Sequence, residues 1–218
     1  MICEARSLND KTSLEYLIYF PNDYPNIEKK FPLVLFLHGA GERGNNLSQI
    51  KKHGIPKRIH DGAEFPFITI APQCADGIWW SNNKNIRTLE MLLQDLICEL
   101  KVDKNRIYGT GLSMGGYGIL DLASTYPNLF AALIPICGGT ILNQLKHLTK
   151  IPIWMFQGDK DDVIPVESSK LIYEYLNKKN KNNLLTIYPD LAHDSWTCLL
   201  YTSPSPRDVC SSRMPSSA

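Results

Sequence analysis

The sequence predicts an α/β domain with a mostly parallel central sheet and helices on both faces. Two patterns support this fold class: short apolar runs, typical of strands buried on both faces, and longer segments with helical spacing of apolar residues. The two patterns alternate along the chain, as they do where helices connect parallel strands. Residues 1–197 contain neither an internal repeat nor a linker, so we predict one domain there.

Length, composition and charge fit this fold class and exclude several kinds of function. The chain has 218 residues, enough for one sizeable core. Apolar and charged shares of 44% and 21% are those of a soluble globular protein. A net charge of +1 gives no field to attract nucleic acid or anionic membrane, and no apolar run reaches a membrane span. The N-terminus lacks the basic and apolar regions of a signal peptide, so the expected location is the cytoplasm by default, and secretion is the alternative.

Seven strands are predicted from runs of β-forming or apolar residues bounded by Pro, Gly or polar residues. They cover residues 14–20, 33–37, 67–72, 106–109, 131–137, 151–156 and 184–188. The polar residues 101–105 are expected to turn the chain into the fourth of these strands.

Helices are predicted between the strands. Residues 86–100 carry leucines at i, i+3 and i+4 spacing, the pattern of an amphipathic helix. Another helix is expected to start at Pro165, whose fixed φ suits a first turn. Residues 47–59 are expected to be helical in part, with breaks at Gly54 and Pro56.

A glycine-rich turn follows the fourth predicted strand. Residues 111–115 read GLSMG, which fits the pattern G-x-S-x-G, and helical patterning follows. This pattern forms a nucleophile elbow, in which a serine occupies a strained strand-to-helix turn. A side chain at either glycine would collide with the neighbouring strand or helix. The sequence therefore predicts Ser113 as a nucleophile; a solvated serine in an ordinary turn is the alternative.

A serine hydroxyl needs a neighbouring base to act as a nucleophile near neutral pH. Of the five histidines, His193 is the candidate, because it stands in the loop after the last predicted strand. His53 and His60 fall in the partly helical segment, and His147 lies in a polar connection. His38 begins a glycine-rich loop, which we expect it to fix.

An acid must orient the histidine and stabilise its cation. Asp159, Asp161 and Asp162 all lie in the loop after the sixth predicted strand, at the sheet edge where open α/β sheets bind ligands. Each has an alternative role as a turn or cap residue. The order serine, aspartate, histidine is that of the α/β-hydrolases and differs from the other two common triad orders.

Four segments together resemble the phospholipase/carboxylesterase branch of the α/β-hydrolases, and most closely small esterases of the feruloyl-esterase and predicted-peptidase kind. They read FLHGAGERG, GLSMGG, GDKDDVIP and AHDSW, at residues 36–44, 111–116, 158–165 and 192–196. The likeness extends over residues 14–197. In that family the acid stands four residues before the proline of the aspartate loop, which implies Asp161. The resemblance also implies a serine carboxylester hydrolase that needs no cofactor.

The elbow geometry predicts the rest of the reaction. Backbone N–H groups of Met114, just after the nucleophile, and of Ala40, in the glycine-rich loop, would face the oxyanion of a tetrahedral intermediate. His193 would take the Ser113 proton, an acyl-enzyme would form, and water would release the acid.

The substrate is expected to be a small ester or an aryl or carbohydrate-linked ester. The connection 138–150 is too short for a lid domain, so we expect an open cleft. Trp79 and Trp80 are candidates for an aromatic wall that binds aryl or feruloyl-like acyl groups, and Trp196 is a third candidate. Packing inside the fold is the alternative for each tryptophan.

Two other functions are compatible with the same fold. A serine peptidase would use the same triad on peptide bonds. A non-catalytic binding module usually loses a triad residue, whereas this chain keeps all three candidates. Monomer and dimer are both open.

Residues 198–218 differ from the rest of the chain, since they are rich in Ser and Pro and have no periodicity. They resemble the translation of a sequencing adaptor, so we predict a non-native, disordered tail. Members of the resembled family usually continue from the histidine loop into a final helix that packs on the sheet. We therefore expect this chain to lack that helix and to expose an apolar sheet face.

The six cysteines do not have the spacing of a metal site, and no metal is expected. Cys198 and Cys210 fall in the predicted tail. Cys74 and Cys137 each follow an apolar strand, so a disulfide between them is one alternative and two free thiols the other.

Overall fold

The computed structural model describes residues 1–8, 14–25 and 28–197. An eight-stranded sheet forms the centre of the part it describes. The strands are β1 (Ile2–Ser7), β2 (Glu15–Phe20), β3 (Phe31–Leu37), β4 (Ile68–Pro72), β5 (Val102–Leu112), β6 (Ala132–Ile136), β7 (Trp154–Gly158) and β8 (Leu184–Tyr188). The helices are α1 (Gly54–His60), α2 (Asn83–Glu99), α3 (Met114–Thr125), α4 (Leu145–Leu148) and α5 (Val166–Lys179), with 3₁₀ turns at Ala40–Glu42, Leu47–Lys52 and Leu142–Gln144.

The strands lie in the order β1-β2-β4-β3-β5-β6-β7-β8. β1 and β2 pair antiparallel, as do β2 and β4, and all later pairs are parallel. The predicted α/β class with a mostly parallel sheet is therefore confirmed. The chain runs outward from β3 to β4 and then returns past β3 to β5. Pairing of Leu37 with Gly111 puts the carboxyl ends of β3 and β5 side by side, where open α/β sheets bind ligands.

Apolar side chains alternate between the two faces of the sheet and build a core layer on each. On β3, Leu35 and Leu37 belong to the larger buried cluster and Phe36 to the smaller one, as the twofold repeat of a strand requires. Helices α2 to α5 contribute buried side chains to the larger cluster, among them Leu89, Ile119, Leu145 and Ile172. Ile50 from a 3₁₀ turn belongs to the smaller cluster, so helical segments cover both faces, as predicted.

The sheet differs from the prediction in one additional strand and in the start of one predicted strand. β1 is a strand that the sequence does not predict, because five of its six side chains are exposed and no apolar pattern marks it. Residues 101–105, predicted as a turn, belong mostly to β5, whose first residue pairs with the start of β3. In both places backbone pairing with a neighbouring strand determines the structure, and the local side chains do not reveal it.

The position of the helix break within residues 47–59 also differs from the prediction. The break falls at Gly54, whose φ of 67° is in the left-handed region. A Cβ at this position would lie 2.2 Å from the ring of Phe36, so the site requires glycine. Pro56 lies in the first turn of α1, where its missing N–H costs no hydrogen bond, and it breaks nothing.

Apolar side chains remain exposed on three neighbouring strands of the sheet. Ile134, Trp154 and Leu184 are 39%, 40% and 45% exposed. The predictions of a non-native tail and of a missing final helix concern residues that lie outside the described ranges. Within those ranges, no helix combines the length and the apolar character that crossing a membrane requires.

Candidate active site

Ser113 occupies the turn between the end of β5 and the start of α3. Its backbone has φ 51° and ψ −112°, a conformation that costs on the order of 1–3 kcal/mol for a residue with a side chain. Close packing around the turn holds it there. A Cβ on Gly111 would lie 2.4 Å from the backbone of Gly115, and a Cβ on Gly115 would lie 1.9 Å from the carbonyl oxygen of Leu37. The two glycines of the motif therefore let β5, α3 and β3 approach one another.

The side chains of Ser113, His193 and Asp161 form a continuous hydrogen-bonded chain. His193 Nε2 lies 2.8 Å from Ser113 Oγ, and His193 Nδ1 lies 2.8 Å from Asp161 Oδ2. A carboxylate oxygen accepts, so Nδ1 carries the ring proton and Nε2 accepts from the serine hydroxyl. The three residues come from loops after β5, β7 and β8, which the parallel sheet brings to one edge.

Asp161 is the aspartate of its loop that contacts the imidazole in the described structure. Its carboxylate is fully buried, whereas Asp159 and Asp162 are exposed. Oδ1 accepts the backbone N–H groups of Val163 and Ile164 at 2.9 and 2.8 Å. Oδ2 also accepts from a residue that the sequence reasoning missed, Gln157, at 2.5 Å. A buried polar residue at the end of an apolar strand is the signal that marks Gln157.

The loop that carries His193 is tied to the ends of β6 and β7. The thiol of Cys137 donates to the carbonyl of His193 at 3.0 Å and contacts the hydroxyl of Ser195 at 2.6 Å. The ring of Trp196 stands edge-on to the imidazole, with centroids 5.4 Å apart, and also contacts His53 at 5.9 Å. The imidazole side chain keeps 19% of its surface exposed, so it is accessible from solvent.

The segments that carry the two predicted oxyanion donors both come close to Ser113. Met114 is the first residue of α3, where backbone N–H groups have no acceptor within the helix. Ala40 begins the 3₁₀ turn after Gly39, and a Cβ on Gly39 would lie 4.0 Å from Ser113 Cβ. Arg43, which the sequence reasoning did not single out, braces this turn because its Nε donates to the carbonyl of Ala40 at 2.9 Å.

His38 holds the glycine-rich loop and does not contact Ser113. Its Nε2 accepts the backbone N–H of Cys74 at 3.0 Å, so its Nδ1 carries the proton and donates to the carbonyl of Gly39 at 2.6 Å. Burial lowers the pKa of His38 to about 4, and the ring is neutral near pH 7. The indole of Trp80 donates to the carbonyl of His38 at 3.1 Å.

The prediction of an aromatic wall built from both Trp79 and Trp80 is wrong for Trp80. Its side chain is fully buried, because it packs against Gly118 of α3, where a Cβ would lie 2.4 Å from Trp80 Cβ. Trp79 is 54% exposed, lies under the guanidinium of Arg43 and lines a cavity of about 480 Å³. Trp196 is partly buried against the imidazole. Trp79 therefore keeps an accessible surface, and its contact with a substrate stays a prediction.

The alternative of a disulfide between Cys74 and Cys137 is excluded, since both are free buried thiols. Cys74 Sγ contacts Ile78 in the loop that follows it and Asn85 in the first turn of α2, whereas Cys137 Sγ faces the histidine loop. The connection between β6 and β7 holds a 3₁₀ turn and the four-residue helix α4, as expected without a lid domain.

A model of the Phospholipase/Carboxylesterase family matches residues 71–201. This range includes Ser113, Asp161 and His193, and covers more than half of the chain.

Several relatives are esterases by name. A bifunctional acetylxylan esterase/xylanase of Neocallimastix patriciarum is 27% identical over 150 residues, which make up 67% of this chain and 21% of that protein. A probable feruloyl esterase C of Aspergillus terreus is 25% identical over 170 residues, 78% of this chain and 62% of that protein. The chain thus spans about a fifth and about three fifths of the length of these relatives.

Solved esterases have similar folds. A thermostable esterase is 33% identical and superposes with a TM-score of 0.76, covering 86% of this chain and 55% of that chain. Thermogutta terrifontis esterase 2, phosphorylated by paraoxon, has a TM-score of 0.69 at 18% identity, covering 88% of this chain and 84% of that chain. The second likeness concerns the fold alone.

Proposed function

Because the chain belongs to the phospholipase/carboxylesterase family of the α/β-hydrolases, we propose that it is a serine carboxylester hydrolase that works through an acyl-enzyme. The observation that carries the proposal is the hydrogen-bonded chain from Ser113 through His193 to Asp161, with both contacts at 2.8 Å. These groups supply a nucleophile, a general base and an acid that fixes the tautomer of the base. The acetylxylan esterase and feruloyl esterase relatives support ester hydrolysis by their names.

The reaction has two halves. In the first, Ser113 Oγ attacks the ester carbonyl carbon while His193 Nε2 takes the hydroxyl proton. The tetrahedral intermediate collapses, His193 gives that proton to the leaving alcohol oxygen, and the acyl group stays on Ser113. In the second half, His193 takes a proton from water, the resulting hydroxide attacks the acyl carbon, and the acid leaves as Ser113 regains its proton.

Asp161 acts on the reaction through His193. The buried carboxylate lies 2.8 Å from the ring nitrogen that faces away from Ser113. It keeps the proton on that nitrogen in the resting state and offsets the positive charge when the imidazole takes a second proton. Two backbone N–H groups and the amide of Gln157 hold the carboxylate in place.

The N–H groups of Ala40 and Met114 are proposed to bind the oxyanion of each tetrahedral intermediate. The first turn of α3 adds the positive end of its helix dipole behind Met114. Loss of one such donor costs on the order of a hundredfold to a thousandfold in kcat.

The proposed substrates are small esters and aryl or carbohydrate-linked esters. Two features support an open site: the short connection between β6 and β7, and the exposed indole of Trp79 near the glycine-rich loop. The name of the acetylxylan esterase relative supports an acyl group carried on a carbohydrate, and the name of the feruloyl esterase relative supports an aryl acyl group.

Hydrolysis of p-nitrophenyl acetate, p-nitrophenyl butyrate and methyl ferulate tests the proposal. We expect Ser113→Ala to lower kcat by on the order of 10⁴- to 10⁶-fold while circular dichroism stays unchanged. Ser168→Ala, on α5, is the matched control and should keep full activity. Cleavage of peptides with no ester turnover would support a serine peptidase instead. A folded wild type without hydrolytic activity would support a binding module.

A further inference from the structure

A buried thiol lies next to the proposed catalytic base. Cys137 follows β6, has no exposed surface and has a left-handed backbone with φ 47°. Its Sγ, a carboxylate oxygen of Asp161 and a ring nitrogen of His193 all lie within 4.8 Å of one another. The proposed ester hydrolysis uses the second and third groups and leaves the thiol without a chemical role.

These three groups match the ligands of one class of metal ion. Thiolate, imidazole and carboxylate bind Zn²⁺ in protein sites, and the soft thiolate favours Zn²⁺ and related ions over Mg²⁺ and Ca²⁺. Bond lengths of about 2.0 Å to N or O and 2.3 Å to S put the ligand atoms of a tetrahedral zinc about 3.3 to 3.6 Å apart. Since the three atoms lie within 4.8 Å of one another, they need shifts of no more than about 1 Å to reach these separations, with water in the fourth position.

We propose that Cys137, Asp161 and His193 form an inhibitory site for a thiophilic divalent cation such as Zn²⁺ or Cd²⁺. The thiol of Cys137 loses its proton to solvent and binds as thiolate. His193 binds the ion through Nδ1, so its single ring proton moves to Nε2. One divalent cation enters and one proton leaves.

The tautomer change explains the inhibition. With the proton on Nε2, the imidazole donates toward Ser113 and no longer accepts the hydroxyl proton. The ion also occupies the side of the ring that Asp161 needs in order to stabilise the imidazolium. Ser195 Oγ lies 2.6 Å from Cys137 Sγ and can donate its proton to the thiolate. Because the thiol is buried, inhibition should develop slowly after mixing.

Cadmium absorbance tests the site without any turnover. The probe is Cd²⁺ added to the Ser113→Ala protein, and the readout is the ultraviolet thiolate-to-cadmium charge-transfer band. Exposed or tail cysteines are first replaced by serine: Cys3, Cys98, Cys198 and Cys210. We expect one Cd²⁺ per chain. Cys137→Ser should lose the band, and His193→Ala should bind at least about tenfold more weakly.

Cys74→Ser is the matched control, since Cys74 is also buried in a loop after a strand of the same sheet. This variant should keep the band at unchanged affinity. A band that persists in Cys137→Ser, or one that disappears in Cys74→Ser, overturns the proposal. If Cys137→Ser does not fold, unchanged binding by His193→Ala overturns it.

The inhibition arm rests on the proposed esterase function. Zn²⁺ should slow p-nitrophenyl acetate hydrolysis in the wild type, and Cys137→Ser should need at least about tenfold more Zn²⁺ for the same fractional loss. Equal sensitivity of the two proteins overturns the inhibitory role. A chain without esterase activity would refute the proposed function alone, because the cadmium band still reports the site.

Discussion

Asp161→Asn tests whether the buried carboxylate sets the tautomer of the histidine. Oδ1 accepts two backbone N–H groups, from Val163 and Ile164. Oδ2 accepts the amide of Gln157 at 2.5 Å and lies 2.8 Å from His193 Nδ1. Among the described residues, each neighbour that hydrogen-bonds to the carboxylate is therefore a donor, and an asparagine must turn its own NH₂ group toward one side or the other.

The structure decides between the two amide orientations. An NH₂ group in place of Oδ1 would meet two backbone donors. An NH₂ group in place of Oδ2 meets one donor, Gln157, and donates to His193 Nδ1. Gln157 is held on both sides, by Ile164 O at 2.9 Å and Ser169 Oγ at 3.1 Å. The second orientation is favoured, and it leaves the imidazole proton on Nε2, facing Ser113.

We expect Asp161→Asn to lower kcat by on the order of 10⁴-fold. The remaining donor–donor conflict should lower the free energy of unfolding by about 1–3 kcal/mol. Steady-state kinetics on p-nitrophenyl acetate and urea unfolding measure the two effects. Asp162→Asn, at the exposed neighbouring position, should change neither. A folded Asp161→Asn protein with less than about a tenfold loss in kcat would show that the Asp161 carboxylate does not set the tautomer of His193.

Three further predictions concern the scaffold of the site. Trp80→Ala should lower the free energy of unfolding by about 3–5 kcal/mol in thermal or urea unfolding. Trp79→Ala should change the free energy of unfolding by no more than about 0.5 kcal/mol and should raise KM for aryl esters. A larger loss of stability in Trp79→Ala than in Trp80→Ala would contradict the burial of Trp80. Gly115→Ala puts a Cβ 1.9 Å from a strand carbonyl and should abolish soluble, active protein, whereas Gly41→Ala, with nothing within 4 Å, should express and turn over normally. Burial lowers the pKa of His38 from 6.5 to about 4. Between these two pH values the unfolded chain binds a proton that the folded chain does not, so the free energy of unfolding falls by at most about 3 kcal/mol as pH drops from 6.5 to about 4. Urea titrations at several pH values should show this fall in the wild type and not in His38→Gln.

The sequence predicts the elements of the site that carry a local pattern. Ser113 stands in a five-residue motif, and His193 is a histidine in the loop after the last strand. The residues alone leave three aspartates open, because the choice depends on which side chain faces the imidazole. That direction is set by Gln157 and by two backbone N–H groups, which no short pattern reveals.

Contacts between residues far apart in the sequence determine the features that the sequence does not predict. Cys137 and His193 are 56 positions apart, and only the neighbouring positions of β6, β7 and the last loop bring them together. Trp79 and Trp80 are adjacent and chemically alike, yet Trp79 is exposed and Trp80 is buried. The reason is that only one of these two consecutive side chains points into the core. β1 forms because it pairs with β2, and its own side chains give no amphipathic signal.

Covalent labelling tests directly whether Ser113 is the nucleophile. Treatment of the folded chain with paraoxon, followed by intact mass and peptide mapping, identifies the nucleophile. We expect one diethylphosphoryl group on Ser113, loss of esterase activity in proportion to labelling, and no label on Ser113→Ala. A folded chain that hydrolyses esters but carries the label on another residue, or carries none, would contradict the assignment of Ser113 as the nucleophile.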